Sequence, residues 1–174
     1  MKHKLLALAT AAAALSPMVA SASDGTITFA GEVQAVTCAI TTPNVSVNLP
    51  TVSTKTLGAA NATAGATRFV ITITGCDSGL LDANAYFEAG PNVDSSTGRL
   101  KNATGTATKV DLQLLTAAGK AIDLSKAYGS QYTGQTGNIA SGVSTLEYAV
   151  RYYATGAATA GNVASSLTYS VVYN

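Results

Sequence analysis

The stretch Thr145-Leu146-Glu147-Tyr148-Ala149-Val150-Arg151-Tyr152-Tyr153 sets Leu146, Tyr148, Val150 and Tyr152 on one side and Glu147, Ala149, Arg151 and Tyr153 on the other. Apolar residues at period two, rich in β-branched and aromatic types, are the mark of a strand with one buried face. The pattern recurs on both sides of this stretch. Arg68-Phe69-Val70-Ile71-Thr72-Ile73-Thr74 alternates and runs into Gly75-Cys76, and Lys109-Val110-Asp111-Leu112-Gln113-Leu114-Leu115 alternates before a turn at Ala118-Gly119. Shorter strand-like runs occupy residues 26–33, 45–49 (stopped by Pro50), 84–89, 121–124 and 166–173. Gly-, Ser-, Thr- and Asn-rich segments such as 58–67 and 129–142 read as loops. Helical periodicity is scarce, with room for a short turn in 77–85. Several strands punctuated by turn signals predict an all-β sandwich. There is no internal repeat and no interdomain linker.

Composition narrows the function. The chain has 174 residues, with 10 Lys and Arg against 9 Asp and Glu. That balance lacks the basic surplus of a nucleic-acid binder, so no nucleic acid is expected as a partner. Hydrophobic residues make up 47% and charged ones 11%, the reverse of a disordered chain.

Residues 1–22 read as a secretory signal peptide. Met1-Lys2-His3-Lys4 is basic, residues 5–15 are an apolar run broken only by Thr10, and Ala20-Ser21-Ala22 is an A-x-A cleavage site. A membrane span needs about 20 apolar residues, more than this run supplies. Cleavage after Ala22 removes His3, Met1 and Met18, so the mature chain holds no His, no Met and no Trp. Ser-His-Asp and Cys-His chemistry is then excluded, and a zinc site would have to do without imidazole. Cys38 and Cys76 remain. In an exported protein an isolated even pair reads as a disulfide, closing about 39 residues and worth ~4 kcal/mol on the chain-entropy model. A redox pair or a metal site would favour closer spacing, such as C-x-x-C.

Both ends of the mature chain look like strands in search of partners. The first, ahead of Cys38, carries Ile27, Phe29, Gly31 and Val33 on one face, and its mid-strand glycine buries nothing. It suits either a shallow groove that the backbone must approach or an ordinary first strand with a bulge. The last run alternates through Leu167, Tyr169, Val171 and Tyr173 and stops at Asn174. It reads as an edge open to another chain, or as a strand paired within its own sheet.

On these residues the chain resembles subunits of bacterial chaperone–usher pili, in particular the type 1 major subunit. The resemblance rests on residues 27–33 ahead of Cys38, 69–77 around Cys76, 110–124, and most of all Arg151-Tyr152-Tyr153-Ala154-Thr155-Gly156-Ala157-Ala158-Thr159-Ala160-Gly161 with the closing Tyr173-Asn174. The family signature places a glycine fourteenth from the end and a tyrosine second from it, and Gly161 and Tyr173 hold those places. The resemblance implies an incomplete immunoglobulin-like sandwich that lacks its last strand. A periplasmic chaperone lends a strand to the open groove, an outer-membrane usher exports the subunit, and a neighbour's N-terminal extension then fills the groove by donor-strand exchange. On that reading residues 23–37 are the donor extension, with Gly31 matching the family's glycine, and 38–174 are the pilin domain. Gly161, Leu167, Tyr169, Val171 and Tyr173 belong to the C-terminal strand that the chaperone pairs with.

Other chemistry finds no footing. The acids are scattered, with no calcium loop and no phosphate-binding glycine motif, so neither an enzyme nor a cofactor is expected. Alternation puts Tyr148 and Tyr152 on one face and Tyr153 on the other, a pattern that favours core packing over a sugar site. The expected role is a structural fimbrial subunit at the cell surface that supports adhesion. A minor adapter or adhesive pilin of the same system is the alternative. The roughly 15 residues between Ala22 and Cys38 leave no room for an added receptor-binding domain.

Overall fold

A computed structural model describes residues 28, 30, 38–41, 43–131 and 137–173. Of the strand expected at 26–33 only Thr28 and Ala30 are described, both exposed; Ile27, Phe29, Gly31 and Val33 lie outside the described residues, as does the segment read as a signal peptide. Every strand pairing is antiparallel. One sheet runs β1 (Ala39–Ile40), β2 (Thr63–Thr74), β7 (Ser144–Ala154), β5 (Val110–Thr116), β4 (Leu100–Lys101). The other runs β6 (Gly137–Asn138), β3 (Asp82–Phe87), β8 (Tyr169–Tyr173).

The alternation sets the register. In β7, Leu146 and Tyr148 are buried while Thr145 and Glu147 are exposed, and Ile71 and Ile73 of β2 pair with Leu146 and Ser144. A one-residue slip would turn this apolar row to solvent. Tyr148 crosses between the sheets. Its ring meets Phe87 of β3 edge-on at 4.9 Å, and its hydroxyl oxygen accepts the Ala85 N–H at 3.4 Å. The core joins Ile71, Ile73, Phe87, Leu112, Leu114 and Leu146 from both sheets, as a sandwich requires.

Three sequence expectations need correction. Residues 58–67 are not all loop, because β2 begins at Thr63 and pairs with Tyr153 and Tyr152 before a bulge between Ala64 and Thr67. Gly65 supplies the left-handed turn there (φ +65°), close beneath the Tyr152 ring. Residues 121–124 form no strand. They share one bridge with β5, through Ala121 and Leu115, yet they still bury Ile122 and Leu124. Within 129–142 the short β6 pairs with β3.

Cys38 and Cys76 form a disulfide. It joins the segment entering β1 to the end of β2, where Ala39 pairs with Thr74. The first strand is thereby tied to the sheet at one pole, beside the turn where Cys76 N–H donates to the Gly142 carbonyl.

Candidate functional site

Two stretches are extended without a β-ladder: residues 45–49, read from sequence as a strand, and residues 163–168, of which 166–168 begin the run read as the last strand. Residues 45–49 alternate half-buried Val45, Val47 and Leu49 with exposed Ser46 and Asn48. Among the described residues no backbone hydrogen bond reaches them. Residues 163–169 alternate in the same way, with Val163, Ser165, Leu167 and Tyr169 inward and Ala164, Ser166 and Thr168 outward. Here one edge is held: Ala103 and Thr104 N–H donate to the Ala164 carbonyl, Asn92 Nδ2 to the Ser166 carbonyl, and Glu88 N–H to the Thr168 carbonyl. Successive residues of a strand point their backbone groups to opposite edges. The N–H and C=O groups of Val163, Ser165 and Leu167 therefore face away from this anchor.

They face a groove. It measures about 480 Å³, runs between residues 43–49 and 165–169, and is floored by Phe69, Ile71, Phe87, Leu112, Leu114 and Val150. The apolar floor belongs to the sandwich core, with Phe69 half-buried and the others buried, and a strand between the two flanks would lie over it. At one end the Tyr169 hydroxyl donates to the Pro43 carbonyl across the gap at 3.2 Å. Burial pushes the Tyr169 and Tyr173 hydroxyls up from their ordinary pKa.

Leu167 and Tyr169 line this groove. Tyr169, Val171 and Tyr173 sit on β8, paired with Phe87, Ala85 and Ala83 of β3. The last run is paired within its own sheet on one side, and among the described residues β8 is the outer strand of that sheet. Gly161 stands apart, in the turn that leads into the flank. A Cβ there would lie 2.5 Å from the Ala107 nitrogen and 2.6 Å from Thr106 Oγ1 (φ +154°). Next to it the Asn162 N–H donates to Thr106 Oγ1 and the Asn162 carbonyl accepts from Ala107. Glycine lets the flank dock on this loop. Gly161→Ala should cost about 1–3 kcal/mol through backbone overpacking, read as a lowered denaturation midpoint at unchanged slope. An unchanged midpoint would show that the loop yields freely.

Glu88, at the end of β3, accepts from Ser170 Oγ at 2.6 Å and Thr168 Oγ1 at 3.0 Å, and these bonds hold its carboxyl below the usual value. No local sequence pattern marks this clip. A depressed carboxyl contributes stability above its unfolded pKa and loses it as pH falls through the folded one. Glu88→Gln should therefore flatten the acid limb of the stability curve, and an acid limb identical to wild type would contradict the clip. Two further contacts were equally illegible. Gln131 binds both the N–H and the carbonyl of Phe87 through its side-chain amide. The Arg99 guanidinium stacks 4.0 Å from the Tyr153 ring while bonding Asp111 at 3.1 Å. Tyr153 therefore works on the outer face, and Tyr148 is buried in the core.

Among the described residues no group of three or more His, Cys, Asp or Glu is placed to hold a metal. The fold and groove together define an immunoglobulin-like β-sandwich with one strand position open along its edge. The family model described as type-1 fimbrial protein, A, matches residues 49–174. The major fimbrial subunit SMF-1 of Stenotrophomonas maltophilia (strain K279a) is 45% identical, over 92% of this chain and 99% of its own. The P pilus rod subunit PapA superposes with a TM-score of 0.60 at 17% identity, over 79% of this chain and 99% of its own. A subunit from a chaperone–usher pilus superposes with a TM-score of 0.61 at 18% identity, over 91% and 100%. The chain belongs to the type-1 fimbrial protein family, and it is a structural subunit of surface fimbriae.

Proposed function

We propose that this subunit polymerises by donor-strand exchange, each groove accepting residues 23–37 of the next copy or of a related pilin. The observation that carries the reading is the pair of unladdered flanks, 43–49 and 163–168, on either side of an apolar groove. An added strand would satisfy their free backbone edges and cover the apolar floor at once. Residues 1–22 direct export and are removed, residues 23–37 are the donor, and 38–174 are the pilin domain. Cys38 and Cys76 pin that domain before it is completed.

Until a neighbour arrives, a groove lined by apolar side chains is an aggregation hazard. A periplasmic chaperone covers it by pairing with the C-terminal strand, Leu167, Tyr169, Val171 and Tyr173, which Gly161 lets dock, and an outer-membrane usher receives the subunit. The assembled fimbria supports adhesion. This role uses no enzymatic step and no cofactor.

Tyr173→Ser removes an apolar anchor from the end of β8, and co-purification with the chaperone should fall several-fold. Normal recovery would sink the C-terminal assignment. Electron microscopy of producing cells with and without the gene should show fimbriae only when it is present.

A further inference from the structure

The inward row of the flank reads Val163, Ser165, Leu167, Tyr169, and Ser165 is a small hydroxyl between two aliphatic side chains, whereas the Tyr169 hydroxyl already bonds Pro43. Ser165 lines the groove. Its Oγ is shut off from solvent and has no hydrogen-bond partner among the described residues. A buried hydroxyl left unpaired destabilises the state that contains it, and such a group calls for an explanation. Its neighbour Ser166, pointing outward, is bonded by Asn92. Asn84 Oδ1 and Ser144 Oγ are likewise unpaired, but of the three only Ser165 lines the groove.

The donor face is Ile27, Phe29, Gly31, Val33, four positions with one that carries no side chain. Every strand pairing among the described residues is antiparallel. Laid antiparallel and one-for-one against the flank, Val33 meets Val163, Gly31 meets Ser165, Phe29 meets Leu167 and Ile27 meets Tyr169. The missing donor side chain then falls on the small polar position of the flank. A parallel alignment would set Gly31 against Leu167 and Phe29 against Ser165, burying the hydroxyl under a ring.

We propose that Ser165 is the register-setting residue of the groove: its hydroxyl bonds the incoming main chain at Gly31 of a second copy. This rests on the strand-exchange reading above. The open groove holds the hydroxyl unpaired, and the filled groove pairs it, so its energy counts only in the assembled state. Cross-strand neighbours on one face lie about 4.5–5.5 Å apart at Cβ. Gly31 therefore also leaves the space into which the serine side chain projects.

The test titrates the full mature chain, refolded with its disulfide formed, with a fluorescent peptide of residues 23–37, in wild-type and Gly31→Ala forms. Wild-type chain should bind the Gly31 peptide and discriminate against the alanine form. Ser165→Ala should bind the Gly31 peptide about tenfold more weakly, the worth of one hydrogen bond. Its unliganded stability should hold or rise, because the orphan hydroxyl is gone. A purely structural serine would lower both together. Ser165→Gly should restore binding of the Gly31→Ala peptide, since the two small positions face each other. Equal binding by wild type and Ser165→Ala, or no rescue by Ser165→Gly, would overturn the pairing while leaving strand exchange intact. No binding of the Gly31 peptide to wild-type chain would overturn strand exchange, and the pairing with it.

Discussion

A chain carrying Gly31→Leu is expected to fold, form its Cys38–Cys76 bond and be recovered with its chaperone, yet fail to join a fibre. On the strand-exchange proposal the substitution lies in a strand that completes another copy, so the body of the subunit keeps its own contacts. In the groove it adds a branched side chain where the donor face has none. Overpacking of this kind costs typically 1–3 kcal/mol, set against the roughly 1.5–3 kcal/mol that each of Ile27, Phe29 and Val33 contributes on burial. Sliding by one residue offers no relief, because the whole apolar face would turn outward. Seeded growth of labelled subunits should drop by an order of magnitude or more. Growth at the wild-type rate would favour an ordinary first strand within its own subunit.

Replacing both Cys38 and Cys76 by Ser should remove about 2–5 kcal/mol. The bond closes a sequence separation of 38 residues and anchors a β1 of only two residues. From there the chain continues into the 43–49 flank, which has no ladder of its own to hold it. With the bond gone, that flank is tied to the fold by side-chain packing and by the Tyr169–Pro43 hydrogen bond. The variant should show a lowered denaturation midpoint and fast proteolysis ahead of β2. A midpoint within 0.5 kcal/mol of wild type would mean that packing alone fixes the flank.

How much of this was legible depended on what each residue reports. Alternation reports burial, so β2, β5 and β7 could be placed from Phe69, Ile71, Leu112, Leu114, Leu146 and Tyr148. It cannot report pairing. Residues 45–49 and 163–168 alternate as well as any strand, and that neither has a strand partner on its groove side shows only in the structure. Gly65 sounded like a loop because a glycine in a bulge and a glycine in a turn look alike in sequence. Gly161 could be matched by position, but its physical role is a close approach to Ala107, a residue far from it in the chain. Glu88, Gln131 and Arg99 act through partners distant in sequence, and no local pattern announces such a contact. Ser165 was passed over as one more serine in a Ser- and Thr-rich chain. Only its orphaned hydroxyl at the groove marks it out.

The central claim is that the groove of one copy holds the extension of another. Fibres grown from an equal mixture of isotopically heavy and light chains, each with a photo-crosslinker at Phe29, test it most directly. The account predicts heavy–light links at about half of all links, joining position 29 to groove residues such as Leu112, Val150 and Leu167. Links confined to heavy–heavy and light–light pairs, or falling outside the groove, would contradict it.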